Sequence, residues 1–363
     1  RPVAYDDRAA KTLKQQVDAV TAALEQAEML SGHGVLVLPD AAKPDLHNFL
    51  KRRLYDRLQL QCVRATKLRE FYQLPPRQGT AAVTVLAERE RDYTSYLRYT
   101  ALGLLLVNRQ WPWVLEDGTH YDVYIGLDVL RNTAAFTFFY EGGRKCFVRL
   151  EESQQKEKVP RNKVAAVVYR YLKEDLKGAA RKPRSVILRR DGRTYEAEWL
   201  GFQDAVRKLI AEGLLPTEVI IGVVEVHKSF AQGLRIVADA GTGELRNPRI
   251  GSFRDLGDQE GIVCTTGYPF KFGGTVKPLL VRIARGRLDL IKVLEDTFAM
   301  SQLCWPVPNR CMRLPIDLKL CDDLLRATAA DADDDEALYG EEDELDVNET
   351  DVGTPFPTDQ ERR

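Results

Sequence analysis

The spacing of apolar residues predicts a helix followed by a β-α-β unit in the first third of the chain. Apolar residues recur at helical spacing over residues 9–30, as in a helix with one buried face. Residues 34–39 and 58–63 are apolar runs of strand length, and a helix from about residue 45 to residue 57 separates them. This order predicts a small α/β layer with a mostly parallel sheet.

A different pattern begins near Asp122. Three runs of strand length follow one another, and the last two are joined by the turn Glu141-Gly142-Gly143-Arg144, which is typical of a hairpin. Helices and strands then alternate. Three antiparallel strands followed by alternating helices and strands predict an RNase H-like domain with a mixed sheet. The predicted elements are strands at 123–128, 134–140 and 146–151, a helix at 161–177, a strand ending at Asp191, a helix at 199–212 and a strand at 215–226.

These elements predict four regions. They are a linker helix over residues 1–30, one α/β domain over 31–120, a second over 121–330 and a disordered acidic tail over 331–363. From residue 327 to the end the net charge is −12, against −1 for the whole chain, which leaves +11 on the remainder. A basic body fits a polyanionic partner, although a solvated surface beside an acidic tail is the simpler alternative.

The composition also narrows the class of protein. Six cysteines form no CxxC pair and only four histidines occur, so a zinc site is not expected. Unpaired cysteines are typical of core residues in a reducing compartment, and we expect a cytoplasmic protein. No apolar run is long enough for a membrane span, so no membrane partner is expected.

Several acidic residues lie at or near the ends of predicted strands and helices. Asp128 and Asp191 end apolar strands, and Asp322 lies near the start of the last predicted helix. Glu157 lies in a polar loop between a strand and a helix. Convergent carboxylates could hold two Mg²⁺ or Mn²⁺ ions, which prefer oxygen ligands and can promote phosphodiester hydrolysis.

Spacing alone does not single out these acids. Asp317, Asp323, Glu151 and Glu152 are near neighbours in equivalent settings. An isolated acid at the end of a strand or helix is more often a cap or a solvated charge than a metal ligand.

Seven short segments, in order along some 290 residues, resemble the MID and PIWI domains of Argonaute proteins. The resemblance implies a Rossmann-like MID domain followed by an RNase H-like PIWI domain, and a role in host defence. The segments are Gly34-Val35-Leu36-Val37-Leu38-Pro39, Gln61-Cys62-Val63, Trp111-Pro112-Trp113-Val114-Leu115, Ile125-Gly126-Leu127-Asp128, Arg190-Asp191-Gly192-Arg193, Gly273-Gly274-Thr275-Val276-Lys277-Pro278 and the stretch from Arg313 to Asp322.

The family's catalytic set, Asp-Glu-Asp followed by Asp or His, falls on Asp128, Glu157, Asp191 and Asp322. The resemblance implies that Asp128, Asp191 and Asp322 hold two Mg²⁺ or Mn²⁺ ions. In the family the glutamate lies on a loop that inserts when guide and target pair. The implied activity is cleavage of a target nucleic acid strand that is paired to a short guide.

The family's MID domain holds the 5′ end of the guide. The matching positions are His47, Lys51 and Gln61, and His47 and Lys51 are four residues apart on one helical face. The family's second MID lysine, which precedes a glycine pair, has no counterpart in Leu106-Val107-Asn108-Arg109-Gln110, where Arg109 takes its place.

His227-Lys228 follows a predicted strand and resembles the basic element after a PIWI core strand. Lys228, Arg235 and Lys277 could contact phosphates of the nucleic acid backbone, and ordinary surface charge is the alternative. No N or PAZ domain is visible, so we expect either a fragment of a longer Argonaute or a chain that works with a partner protein. Two other functions stay open: a non-cleaving guide-binding module that recruits an effector, and a nuclease or recombinase without a guide.

Overall fold

The computed structural model describes most of the chain from residue 2 to residue 329. The side chains of residues 48, 49, 51, 52, 73, 107 and 327–329 are not described, so the acidic tail and the predicted loop at 74–79 lie outside the described residues. The described ranges are 2–6, 8–29, 31–43, 46–54, 57–73, 84–108, 110–153, 157–179, 181–228, 235–239, 241, 243, 245–270, 275–305 and 311–329.

The chain divides into two compact units, one as far as Pro112 and one from Trp113. Among the described helices, none has the length and apolar character needed to cross a membrane. The first unit contains α1 (Leu13–Gln26), β1 (Gly32–Leu38), α2 (Leu46–Arg53), β2 (Leu58–Arg64), α3 (Ala65–Arg69), β3 (Tyr72–Gln73), β4 (Thr84–Val85), a 3₁₀ turn (Ala87–Arg89) and α4 (Glu90–Val107).

The first unit contains the predicted β-α-β arrangement. Strands β1 and β2 pair in parallel from Gly32 opposite Leu58 onwards, and α2 connects them. Val20 of α1 is buried with Leu46 and Leu50 of α2, which explains the helical spacing of apolar residues in both segments. The prediction of two strands with a crossover helix is confirmed.

The second unit is built on an eight-stranded mixed sheet. Its order is β12-β13-β14-β9-β8-β5-β6-β7, in which β5, β8 and β9 are parallel neighbours and the other pairs are antiparallel. The elements are β5 (Val123–Leu130), β6 (Thr133–Tyr140), β7 (Lys145–Glu152), α5 (Arg161–Leu176), β8 (Ser185–Asp191), α6 (Glu196–Ala211), β9 (Ile220–His227), β10 (Ala238–Asp239), β11 (Leu245–Arg246), β12 (Phe253–Gly257), β13 (Glu260–Val263), β14 (Leu279–Gly286), α7 (Leu290–Ser301) and α8 (Ile316–Ala329).

This architecture confirms the predicted α/β class with a mixed sheet, but several boundaries differ. Strand β5 runs to Leu130, beyond its predicted end at Asp128. The predicted strand at 215–226 begins only at Ile220, because Leu215 is buried in the core and the N–H of Val219 donates to the carbonyl of Pro216 in a turn. Helix α6 begins at Glu196 rather than at residue 199. Its early start is stabilised by Glu198, whose carboxylate accepts a hydrogen bond from the backbone N–H of Tyr195.

Side chains alternate along β5, so one face of the sheet packs against α5 and α6 and the opposite face packs against α8. Val123, Ile125 and Leu127 point into the core formed with α5 and α6. Gly126 lies on the other face, where α8 crosses the sheet so closely that a Cβ at this glycine would stand 2.7 Å from the carbonyl oxygen of Asp317. Asp128 therefore faces α8 rather than the core.

A buried ion pair fixes α8 to this face. The Nη1 atom of Arg189 on β8 lies 2.9 and 3.1 Å from the two carboxylate oxygens of Asp317, and neither side chain is exposed to solvent. The guanidinium group also lies 4.1 Å from the centre of the Tyr124 ring. This pair joins the start of α8 to the strand that ends in Asp191.

We expect Arg189→Met to lower the free energy of unfolding by about 3–5 kcal/mol, because it leaves the carboxylate of Asp317 buried without a counter-charge. The double variant Arg189→Met/Asp317→Leu should recover most of this loss. Equilibrium denaturation measures both. The exposed pair of Arg161 with Asp204 is a matched control, and Arg161→Met should change stability little. A loss below about 1 kcal/mol in Arg189→Met would contradict the role of this pair.

Candidate metal centre

Three carboxylates converge at one edge of the eight-stranded sheet. Leu127 of β5 pairs with Arg190 of β8, so the next residue on each strand, Asp128 and Asp191, emerges beside the other where the parallel pairing of the two strands ends. Asp322 comes from α8, which crosses this face. One carboxylate oxygen from each of the three residues lies within 4.8 Å of the others.

The three candidate acids of the last helix have different partners in the structure. Asp317, in the first turn of α8, is bound to Arg189, and Asp323 forms an ion pair with Lys319 at 2.5 Å. Asp322 joins the carboxylate cluster. It lies in the second turn of α8 and not near its start as expected, because the helix already begins at Ile316.

Glu157 stands apart from this cluster. The carboxylate group that the structure brings together contains Asp128, Asp191 and Asp322, and the side chain of Glu157 is exposed. Its backbone has a φ of 62°, in the left-handed region.

The two neighbouring glutamates have structural positions of their own. Glu151 forms ion pairs with Lys163, at 2.8 Å, and with Arg170 of α5. Glu152 ends β7, opposite Thr133 in the hairpin. Glu151 is therefore occupied by ion pairs and Glu152 ends a strand, whereas Glu157 lies in the loop that follows.

Arg190 connects the edge of the sheet to the loop that carries Glu157. Its Nη1 atom lies 3.2 Å from a carboxylate oxygen of Asp128 and donates to the backbone carbonyl of Asp191 at 2.6 Å. Its Nη2 atom donates to the backbone carbonyl of Glu157 at 2.9 Å. The side chain is only 5% exposed, and its Nε atom lies 3.6 Å from the buried carboxylate of Glu198. Arg190 thus holds one carboxylate and two backbone segments in place.

Lys228 approaches the cluster from the end of β9. Its Nζ atom lies 3.0 Å from Asp191 and 3.3 Å from Asp322. Burial would by itself lower the pKa of Lys228, but the two carboxylates outweigh burial, so its pKa is raised and the group is a cation at neutral pH. Arg326, four residues after Asp322 on α8, adds a further contact to that carboxylate at 3.1 Å.

Asp128 has a raised pKa. Burial, followed by the negative charge of Asp191, raises the pKa of Asp128 to about 6, while Arg190 acts in the opposite direction. A carboxylate of this kind is costly to ionise until a cation compensates for it.

The donor set suits a hard divalent cation. Carboxylate oxygens are the ligands that Mg²⁺ and Mn²⁺ prefer, and oxygens within 4.8 Å of one another can bind the same ion. Asp128, Asp191 and Asp322 would hold such an ion at this edge.

The turn after Asp191 leaves space in which a ligand can come close to this carboxylate. Gly192 has a φ of 82°, which favours glycine, and a Cβ there would meet no atom within 4 Å. Its N–H donates to the carbonyl of Val226 at 2.8 Å, and the N–H of Thr194 donates to Glu225 at 2.8 Å. The turn is therefore anchored to β9 at two points and still leaves open space beside Asp191.

The expected guide-end residues lie in the first unit. His47 is half-buried on α2, and the side-chain amide of Gln61 on β2 donates to the carbonyl of Cys62 at 3.2 Å. This amide lies against α4, where a Cβ at Gly103 would come within 2.4 Å of its oxygen. The side chain of Lys51 and the whole of Arg109 lie outside the described residues.

The three expected backbone contacts differ in their surroundings. Lys228 contacts the carboxylate cluster. Arg235 is exposed, and its Nε atom donates to the hydroxyl of Thr275 at 2.9 Å. Lys277, two residues further along, is exposed as well. Arg235 and the segment that contains Lys277 therefore lie next to each other on the second unit.

The mixed α/β fold of the chain, with its eight-stranded sheet flanked by helices, is similar to an Argonaute MID/PIWI-like fold. A solved structure of Clostridium butyricum Argonaute, bound to a guide DNA with a 5′ deoxycytidine and to a 19-mer target DNA, matches 88% of this chain with a TM-score of 0.65 and 17% sequence identity. The match covers 40% of that Argonaute, so the chain spans about two-fifths of its length. No protein-family model and no curated protein sequence matches the chain.

Two residues at this site were not predicted from the sequence. Arg190 precedes Asp191 and Arg326 follows Asp322 by one helical turn. The second spacing is a recognisable signal for an ion pair along a helix. The first is not, because successive residues on a strand point to opposite faces, and Arg190 reaches Asp128 only around the end of the sheet.

The raised pKa of Asp128 has a consequence for stability in metal-free buffer. Its pKa in the folded protein, about 6, lies above the usual value of 3.8, so the folded state holds this proton more tightly than the unfolded state does. Ionised Asp128 therefore destabilises the fold as pH rises from 4 to 7. We expect Asp128→Asn to gain stability over the parent across this range, by on the order of 2 kcal/mol.

Denaturation of both proteins in chelator at several pH values between 4 and 7 measures this gain. The difference between the two proteins isolates Asp128 from the other groups that titrate. A difference that stayed constant, or that shrank as pH rose, would contradict the assignment.

Proposed function

We propose that this chain is the MID and PIWI part of an Argonaute that cleaves a target strand paired to a short guide. The observation that carries the proposal is the convergence of Asp128, Asp191 and Asp322 at one edge of a sheet with this fold. Carboxylates held this close are costly unless a cation binds them, and their oxygens match the preferences of Mg²⁺ and Mn²⁺.

The chain's own residues would act as follows. Asp128, Asp191 and Asp322 bind the divalent ions, of which two are expected. Bound ions of this kind activate water and stabilise the leaving oxygen of a phosphodiester. Arg190 orients Asp128 and holds the backbone at Glu157 within reach of the edge. Glu157 is the fourth acid of the set, and its exposed side chain has to turn inward to join the other three.

Binding of the nucleic acid would use both units. His47, Lys51, Gln61 and Arg109 hold the 5′ end of the guide. Lys51 and Arg109 supply positive charge, His47 stacks on or donates to the first nucleotide, and Gln61 adds a hydrogen bond.

Arg235 and Lys277 contact phosphates of the paired strands, and the positive charge of the chain outside its acidic tail favours such contacts. The chain spans only part of the matched Argonaute, and an N-terminal lobe or a partner protein would supply further contacts to the nucleic acid.

Cleavage is tested with the chain loaded with a short guide and given a labelled complementary strand in Mn²⁺, using DNA and RNA in each role. We expect one cut at a fixed distance from the guide's 5′ end. Asp191→Ala and Asp322→Ala should lower the rate at least about a hundredfold, since metal ions supply several kcal/mol of transition-state stabilisation. Guide binding should persist in both variants.

Asp323→Ala is the matched control. It removes the next residue on the same helix, which is paired with Lys319 and lies outside the cluster. Its rate should stay close to that of the parent. Equal losses in the Asp322 and Asp323 variants would speak against a metal-binding role for Asp322.

One observation favours a second function, a non-cleaving module that recruits an effector. Asp128, Asp191 and Asp322 are already in contact with basic side chains, namely Arg190, Lys228 and Arg326. If these contacts persisted in the guide-bound protein, the acids would serve structure and no cut would occur. Tight retention of the guide without any cleavage is the result that would support this reading.

The proposed contact between Lys51 and the 5′ phosphate of the guide can be tested by binding. We expect Lys51→Ala to weaken binding of a 5′-phosphorylated guide by about tenfold or more, because a charge-assisted contact to phosphate is lost. A guide with a 5′-hydroxyl should bind both proteins alike. Arg53→Ala, on another face of α2, is the control and should weaken both guides equally. A filter-binding assay measures these affinities, and equal losses for both guides in Lys51→Ala would exclude the phosphate contact.

A further inference from the structure

The carboxylate cluster is already in contact with basic side chains of this chain. Lys228 and Arg326 contact the cluster from β9 and α8, and Arg190 does so from the core side. These three positive charges face the three carboxylates of the cluster, and Arg190 is shared with the buried carboxylate of Glu198. Basic side chains this close reduce the attraction of the cluster for two divalent cations.

Lys228 has a special position among these cations. Its ammonium group contacts both Asp191 and Asp322, at 3.0 and 3.3 Å, and so it bridges two members of the cluster. Asp191 and Asp322 are two of the three residues that would hold a divalent ion here, so the ammonium group occupies carboxylates that the ion would need. An ammonium group and a divalent ion cannot share this position.

The backbone of Lys228 is held firmly while its side chain is free to leave. Arg313 donates a hydrogen bond from Nη2 to the carbonyl of Lys228, and the preceding residue, His227, pairs with Leu280 in the sheet. The side chain is 23% exposed, so the protein does not enclose it completely. A lysine ammonium is a compact charge on a flexible four-carbon stem and can move without disturbing the backbone.

We propose that the ammonium group of Lys228 is a resident cation that substitutes for one divalent ion between Asp191 and Asp322, so that full metal loading requires this side chain to swing out. The inference rests on the metal centre of the proposed function and adds a competitor for it. The released ammonium group would stay at the edge where a target phosphate binds, and the phosphate would draw it away from the carboxylates. Nucleic acid and metal then favour each other's binding.

The competition can be measured in the absence of any guide or target. Calorimetric titration of the full chain with Mn²⁺ compares the parent with Lys228→Met. We expect the variant to bind Mn²⁺ at least about tenfold more tightly, because a positive charge a few ångströms from the ion has been removed. We also expect it to bind two ions where the parent binds one.

Lys319→Met is the matched control. It removes the same charge from α8, where Lys319 is paired with Asp323 outside the cluster. Its Mn²⁺ affinity should equal that of the parent. Equal or weaker binding by a folded Lys228→Met protein would overturn the proposal, and so would equal gains in the two variants.

A measurement on the unaltered chain covers the case in which Lys228→Met does not fold. Brief acetylation followed by peptide mass spectrometry reports the exposure of each lysine amine. Mn²⁺ should raise the modification of Lys228 severalfold and leave Lys319 unchanged, whereas protection of Lys228 that is independent of Mn²⁺ would overturn the proposal.

The two proposals fail in different ways. Absence of guided cleavage leaves the exchange at Lys228 standing, because its test uses Mn²⁺ alone. Asp191→Ala should abolish Mn²⁺ binding at this centre. Full retention of binding in that variant would overturn the metal centre and, with it, the role of Lys228.

Discussion

The buried pair of Arg189 and Asp317 is the interaction on which the geometry of the carboxylate cluster depends. Two opposite charges without solvent exposure are costly to desolvate, and they are compensated here by contact with both carboxylate oxygens and by the ring of Tyr124. The pair joins β8 to the first turn of α8. Asp322 follows five residues later, about 7.5 Å along the helix axis, which brings it to the edge where Asp191 ends its strand.

Much of the fold could be predicted because it is encoded in short-range patterns. The apolar spacing in α1 and the two apolar runs around α2 indicated a β-α-β unit, which the structure contains. The hairpin at Glu141 and the end of β8 were equally visible, because a strand of alternating or continuous apolar residues ends where polar residues begin, whereas β5 runs two residues beyond its predicted end at Asp128. Asp128 and Asp191 could be chosen for the same reason, since each follows such a run.

The rest depends on contacts between distant segments, which no local pattern reports. Asp317, Asp322 and Asp323 lie on one helix, and only the packing of α8 against Gly126 determines which of them reaches the edge of the sheet. The contact of Lys228 with Asp322 spans 94 residues and also could not be predicted. The sequence placed Lys228 among the phosphate contacts, and the structure shows it bound to carboxylates.

The basic side chains at this edge of the sheet stabilise the fold, but they occupy the carboxylates that a divalent ion would bind. Carboxylates crowded at the end of a sheet repel one another, which is visible in the raised pKa of Asp128, so the folded chain is more stable when basic side chains are close. A divalent ion needs the same oxygens. Arg190 is almost fully buried and is bound to two backbone carbonyls, so it serves the fold, whereas Lys228 is more exposed and flexible. The division between a fixed and an exchangeable cation lets one site satisfy both requirements.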